Sequence, residues 1–487
     1  MQAANLVIIM SDQHNKRAMG CAGHPLVHTP HLDRLAASGV RFTNAYCNSP
    51  MCVPSRASFA TGRYVHETNN WDNAAPYDGA TPSWGHRLTA QGHRVVTIGK
   101  LHYRDEAADT GFPDQRMPMH VNNGTGDLHS LIRENMAIKT APRQEILNAG
   151  EGETSYIRYD CAVAAEACRF LRTEAKQGQK PWVLFVSLVT PHFPLKVPKR
   201  FLELYPPEKI NLPLQYSLRQ RPQHPVLVAM NKVRSQQDEY SEMEMRRAIA
   251  AYYGLCSFMD EQVGSIMQTL EAEGLGDHTR ILYTSDHGDS LGDHGMWYKC
   301  TMYEGSVGVP LIMSGPDLPR GRVVEQPVSL IDAFPTIVEA AGGALTEEDR
   351  DLPGRSLFPL AQGNAAPDGD RIVYSEYHSS PSITGMFMIR SGPYKYVYYA
   401  GYAPQLFHLT DDPDECVDLA GKAEYAEIVA RCHAQLREIV DPDQVDRLAK
   451  ADQLRRIELH GGRAKIMERA PLSFSPAPEK VSKGRDK

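Results

Sequence analysis

Asn5-Leu6-Val7-Ile8-Ile9-Met10, closed by Ser11-Asp12-Gln13, is the stretch on which the fold turns. A short apolar run without alternation suits a strand covered on both faces, as in a parallel sheet packed between helices. Polar residues directly after such a strand stand at its carboxyl end, where open α/β sheets place their sites. The pattern recurs. Arg94-Val95-Val96-Thr97-Ile98 runs into Gly99-Lys100-Leu101-His102, the 181–188 run leads to Thr190-Pro191-His192, and 279–284 leads to Ser285-Asp286-His287. Residues 309–313 give a fifth strand. Helical patterns fall between them at 29–39, 83–91, 155–173, 241–273 and 332–341. Strands alternating with helices predict an α/β fold with a mostly parallel central sheet flanked by helices.

Outside this frame, residues 42–50 lead into the segment that begins at Cys52. Residues 105–153 lack periodicity and are expected to be loop. The Pro-, Gln- and Arg-rich stretch 205–234 reads as an irregular surface insertion, where substrate specificity could be set. After about Asp370 the texture changes: β-like segments at 371–377, 386–390, 394–399 and 405–409 predict a small antiparallel sheet, followed by a helix at 426–440. The expected division is a main domain over 1–370 and a smaller C-terminal α+β subdomain over 371–487, ending in an extended arm from 471.

With 42% hydrophobic and 23% charged residues in a chain of 487, the composition is that of an ordinary globular protein. A net charge of −7 argues against a general nucleic-acid binder. No apolar run reaches the length of a membrane span, and the first residues lack the basic flank of a signal peptide. Nine cysteines without a tight spacing pattern fit reduced thiols, which places the protein in the cytoplasm.

Four strand ends thus deliver Asp12/Gln13, Lys100/His102, His192 and Asp286/His287. Asp12, Gln13, Asp286 and His287 supply oxygen donors and one imidazole, a set suited to a hard divalent ion such as Ca²⁺ or Mn²⁺. In an extended segment Lys100 and His102 would point the same way. A further segment, Cys52-Val53-Pro54-Ser55-Arg56-Ala57-Ser58-Phe59-Ala60-Thr61-Gly62-Arg63, reads as a short helix with Pro54 at its first position and Gly62 as its stop. Cys52 and Arg56 share one face, with the sulfur near the positive N-terminal end, where anions bind. Taken alone, Cys52 is a buried thiol on a short helix, a common place for cysteine.

Cys52, Pro54, Ser55, Arg56, Thr61, Gly62 and Arg63 together resemble the signature of type I sulfatases, in which the Cys is oxidised to Cα-formylglycine. The resemblance implies the alkaline-phosphatase-like core of that superfamily and a sulfuric ester hydrolase. Its chemistry explains the modification. One hydroxyl of the hydrated aldehyde attacks sulfur and displaces the alcohol; the other then loses its proton and expels sulfate. A serine could perform the first step and has no internal route for the second.

The same resemblance covers residues 5–420. It implies metal ligation by Asp12, Gln13, Asp286, His287 and the modified Cys52, with Ca²⁺, Mn²⁺ or Mg²⁺ as the ion. Gln13 stands where a second Asp is commoner, as in the choline-sulfatase and phosphonate monoester hydrolase branch. Asn73 looks like that branch's substrate-contacting Asn. Arg56 would hold the formylglycine hydrate with the metal, and Lys100 and Lys299 would neutralise sulfate oxygens. His102 would take the proton of the second hydroxyl, and His192, jointly with Lys299, would protonate the leaving alkoxide. A formylglycine-generating enzyme as maturation partner and a homo-oligomer, dimer or tetramer, are implied as well. Three rival readings remain at this stage: a phosphonate monoester or phosphodiester hydrolase with the same nucleophile, an unmodified binder of sulfated ligands, and a cysteine hydrolase using the Cys52 thiolate.

Overall fold

The structure, a computed structural model, describes residues 3–178, 180–366, 368–470 and 475–478. The strand Asn5–Asp12 (β1) is buried from Leu6 onward and lies inside the main sheet. It is followed by β2 (Val40–Tyr46), β3 (Arg94–Lys100), β4 (Asp114–Met119), β5 (Gly150–Glu151), β6 (Trp182–Pro191), β7 (Lys196–Val197), β8 (Thr279–Ser285), β9 (Gly308–Ser314), β10 (Arg322–Val324) and β11 (Val328–Ser329). Among the described residues the main sheet has nine strands in the order β10-β2-β9-β8-β1-β6-β3-β4, with β11 also paired to β2. β1 is parallel to β6 and β8, and β3 is parallel to β6 and β4. β9 runs against both of its neighbours, β2 and β8. The sheet is therefore mostly parallel, as the apolar runs predict.

Alternate residues of β1 feed opposite cores, as the pleat requires. Leu6, Ile8 and Met10 pack with Phe59, Trp84 and Phe334 on one face. Val7 and Ile9 pack with Phe170, Val263 and Ile266 on the other, under the helices Ser155–Thr173 and Glu242–Ala272. The helix Cys52–Thr61 lies on the first face and is buried along its whole length.

The departures from expectation have local causes. β2 was not predicted: near the sheet's edge it alternates buried and half-buried positions and so shows no apolar run. Residues 105–153, predicted to be loop, hold β4, β5 and the helix Ala141–Leu147. Only the last residue of β4 is fully buried, so its sequence, too, is mixed. The 205–234 stretch contains the helix Pro225–Val233, which Pro225 opens while the His224 side chain accepts from the Val226 N–H.

A second sheet is formed by β12 (Ile372–Tyr377), β13 (Met386–Ser391), β14 (Tyr394–Tyr399) and β15 (Gln405–His408), antiparallel and in sequence order. One of its faces, with Phe387, Ile389 and Leu406, is covered by Cys432 and Leu436 of the helix Ala426–Ile439. The other, with Met388, Val397 and Phe407, joins the core beneath the main sheet. Buried charges add to the join. Glu304 accepts from Lys16 and, at 3.1 Å, from Lys395, which also pairs with Glu415 at 2.8 Å. Burial pushes the Glu304 carboxyl up, but Lys16, Lys395 and Arg390 outweigh it and hold the group well below the usual range. Two further helices, Pro442–Leu459 and Gly462–Met467, follow without a sequence forecast. Of the predicted arm 471–487, residues 475–478 lie within the described residues. No helix among the described residues is long and apolar enough to cross a membrane.

Candidate active site

Cys52 is the first residue of its helix, with Pro54 at the third position rather than the first. Either place is harmless, because the N–H groups of the first turn have no partner within the helix. Gly62 ends the helix at φ 67°, where an added Cβ would come within 2.9 Å of Phe334. The side chain of Met51 does not cap the start. Instead Asn73, twenty positions along, accepts from the Val53 N–H at 3.2 Å.

Four separate strand ends meet this helix terminus. Donor atoms of Asp12, Cys52, Asp286 and His287 all lie within 4.8 Å of one another, and all four residues are buried. Nε2 of His287 is 3.2 Å from the Cys52 sulfur, while its Nδ1 lies 3.0 Å from the Gly288 carbonyl. Nδ1 therefore carries the ring proton and Nε2 turns its lone pair to the cluster, the usual arrangement of a ligating imidazole. Asp286 accepts from the N–H groups of Gln13 and His287 through Oδ1, and from Arg56 Nε at 2.8 Å through Oδ2. Asp12 accepts from Lys100 Nζ and lies 3.5 Å from Arg56.

Two buried carboxylates, an imidazole lone pair and the Cys52 position form a donor set that fits a hard divalent cation. Gln13 stands beside it in a left-handed conformation, φ 67°. Its Oε1 accepts from Lys299 Nζ at 2.9 Å, and its Nε2 donates to Asp289 at 2.6 Å. Gln13 brings no charge to the cluster, and the Lys299 ammonium donates to its amide oxygen.

The cations are arranged around the sulfur. Lys299 Nζ is 3.0 Å from Cys52 Sγ. Burial and Asp12 raise the pKa of the unmodified thiol, but Lys299, Lys100 and His287 overcome both and bring it below its usual value. Arg56 is fixed by Asp286, by the Lys100 carbonyl at 2.7 Å and by Ser187 Oγ at 2.8 Å, and so is held in a single pose. His192 is pushed well below the usual imidazole range, first by burial and then by Lys299. For His102 burial is again the first cause, with Lys100 and Arg56 next. The chain does not stay extended between Lys100 and His102, since His102 adopts φ 58°.

A cavity of about 430 Å³ opens onto this centre, and Cys52, Asn73, Lys100, His102, His192 and Lys299 all line it. Its inner wall is aromatic. The Phe193 ring lies 4.0 Å from that of His192 and 4.8 Å from that of Tyr298. Sequence reasoning missed Ser187, Asp289, Tyr156 and Ser475. Ser187 is a polar residue inside an otherwise apolar strand, and Asp289 follows Asp286-His287-Gly288, so both carried a faint signal; Tyr156 and Ser475 carried none.

Comparison with known proteins finds similarity along most of the chain. The family model described as Sulfatase matches residues 4–344, and the C-terminal model of N-sulphoglucosamine sulphohydrolase matches 292–441. The choline-sulfatase of Rhizobium meliloti (strain 1021) is 33% identical over 443 residues, covering 85% of this chain and 82% of that one. Arylsulfatase K of Xenopus laevis is 29% identical, covering 91% and 83%. Among solved structures, the phosphonate monoester hydrolase of Agrobacterium radiobacter superposes with a TM-score of 0.71 at 26% identity, over 89% of this chain and 95% of that one.

Proposed function

The chain belongs to the sulfatase family and hydrolyses sulfuric esters, and on that premise we propose that Cys52, matured to formylglycine, is its nucleophile and that a divalent ion sits beside it. The observation that carries the reading is the convergence of Asp12, Asp286, His287 and Lys299 on the Cys52 sulfur at a helix N-terminus. A bound divalent ion supplies Lewis acidity, drawing negative charge from a sulfate oxygen and easing ionisation of the nucleophilic hydroxyl. Asp12, Asp286, His287 and the modified Cys52 would hold it, with Gln13 as a further oxygen donor. The ion is Ca²⁺, Mn²⁺ or Mg²⁺.

Arg56 fixes Asp286 and Asp12, and with them the nucleophile's surroundings. Lys100 and Lys299 neutralise the remaining sulfate oxygens, and Asn73 contacts substrate beside the helix terminus. His102 accepts the proton of the second hydroxyl as sulfate leaves. Nδ1 of His192 lies 2.7 Å from the Phe193 carbonyl, so in the neutral ring Nδ1 bears the proton and Nε2 accepts. On that geometry His192 has no proton to give on Nε2, against the role expected for it, and Lys299, which lies against the Cys52 sulfur, delivers the leaving-group proton. All nine cysteines are free, which supports a reducing cytoplasmic setting, with maturation by a formylglycine-generating enzyme. A homo-oligomer is part of the same reading.

Phosphoryl and sulfuryl groups are both tetrahedral, and the likeness to a phosphonate monoester hydrolase supports side activity on phosphonate esters. One experiment covers both points. The matured enzyme is expected to turn over an aryl sulfate with a larger kcat/KM than phenylphosphonate, to lose that activity on exhaustive chelation, and to regain it with Mn²⁺ or Ca²⁺. A larger kcat/KM for the phosphonate, or full turnover after chelation, contradicts the proposal.

A further inference from the structure

His102 is held by a residue from the far end of the chain. Its Nε2 lies 2.8 Å from Oγ of Ser475, 373 positions away. The backbone that carries Ser475 is pinned at two points. The Ser475 carbonyl accepts from the Tyr156 hydroxyl at 2.6 Å. Two residues on, Ala477 is buried in the apolar core that contains Tyr156, Tyr159 and Met119. Ser475, His102 and Tyr156 all line the cavity that opens onto Cys52.

His102 also has a nitrogen to account for. Nδ1 is buried and has no hydrogen-bond partner among the described residues. A neutral imidazole has one N–H and one lone pair. A proton on Nδ1 would leave a buried N–H without an acceptor, a rarer and costlier state than an unmatched acceptor. A proton on Nε2 is satisfied by Ser475 Oγ and leaves the lone pair on Nδ1. The left-handed backbone at His102, uncommon for a residue with a side chain, keeps the ring in this place.

We propose that Ser475 is a positioning residue of the active site: by accepting from Nε2–H it fixes the tautomer and orientation of His102, so that Nδ1 presents the basic lone pair. The inference rests on the role given to His102 above, as acceptor of the proton released when sulfate departs. Ser475 itself does not touch the reacting atoms. A hydroxyl oxygen is what the position requires, so Thr replaces it and Ala does not.

The test uses the full, matured, metal-loaded chain labelled with [¹⁵N]histidine. In the wild type, His102, assigned by its loss in His102→Gln, is expected to show the Nε2–H tautomer. In Ser475→Ala it shifts to a tautomer mixture, and in Ser475→Thr it does not. Ser475→Ala lowers kcat on the order of tenfold. It leaves KM within about twofold, because ground-state binding is untouched. Ser475→Thr restores the rate, and in the His102→Gln background Ser475→Ala costs nothing more. An Nδ1–H tautomer in the wild type, an unchanged tautomer and kcat in Ser475→Ala, or an equal loss of kcat in the His102→Gln background overturns the proposal. A wild-type rate in His102→Gln removes the role given to His102 instead, and the NMR signals still decide whether Ser475 sets its tautomer.

Discussion

Cys52→Ala, matured in parallel with the wild type and loaded with the same metal, is expected to lose aryl-sulfate turnover by ~10⁴-fold or more. Cys52 is 2% exposed and small, so the change costs little packing while removing the proposed nucleophile. Asp12, Asp286 and His287 remain to hold the metal, and Lys100 and Lys299 remain to bind an anion, so substrate should still protect the variant against thermal unfolding. Cys52→Ser separates the two chemical steps. Its hydroxyl can be sulfated once, but it has no second hydroxyl on the same carbon to expel sulfate. The expected result is a single covalent sulfation followed by arrest, read by intact-protein mass spectrometry. Steady turnover by either variant would contradict the assignment of Cys52.

Lys299→Ala carries the next largest effect. Its ammonium lies 3.0 Å from Cys52 Sγ and 2.9 Å from Gln13 Oε1, and among the described residues no other Lys or Arg is hydrogen-bonded to the sulfur. Burial lowers its pKa, but Cys52, Asp12 and Asp286 more than compensate, so the group stays cationic. Loss of one pre-organised donor to the developing charge is expected to cost ~10²–10³-fold in kcat/KM. The loss should grow with the pKa of the departing alcohol, because alkyl leaving groups need the proton more than nitrophenolates do. A series of sulfate esters of graded leaving-group pKa measures this. A uniform loss across the series would assign Lys299 to charge neutralisation alone, and a loss below tenfold would remove it from both roles.

Much of this site could be read from the chain because its residues sit where a simple rule puts them. Asp12, Lys100, His192 and Asp286/His287 stand at the ends of strands that are buried almost throughout and mostly apolar, and such strands reveal their ends. β2 and β4 escaped because strands near an edge are half covered and carry mixed sequences. The reversed direction of β9 was hidden for another reason. Periodicity reports which face is buried and says nothing of which way a buried strand runs. Pairings across the chain were hidden most of all. Nothing in the neighbourhood of Ser475 marks it as a partner of His102, and the Asn73 side chain reveals itself as an acceptor for the Val53 N–H only once the helix start is placed. The Cys52 segment was legible as a motif, while its physics alone gave no more than a thiol at a helix start.

The central claim is the chemical identity of residue 52, and the tryptic peptide 42–56, FTNAYCNSPMCVPSR, reports it directly. Mass spectrometry of that peptide, taken from active protein co-produced with an aerobic formylglycine-generating enzyme, is expected to show an aldehyde at Cys52 and an intact thiol at Cys47. A thiol at Cys52 in protein that turns over sulfate esters at full rate would contradict the account.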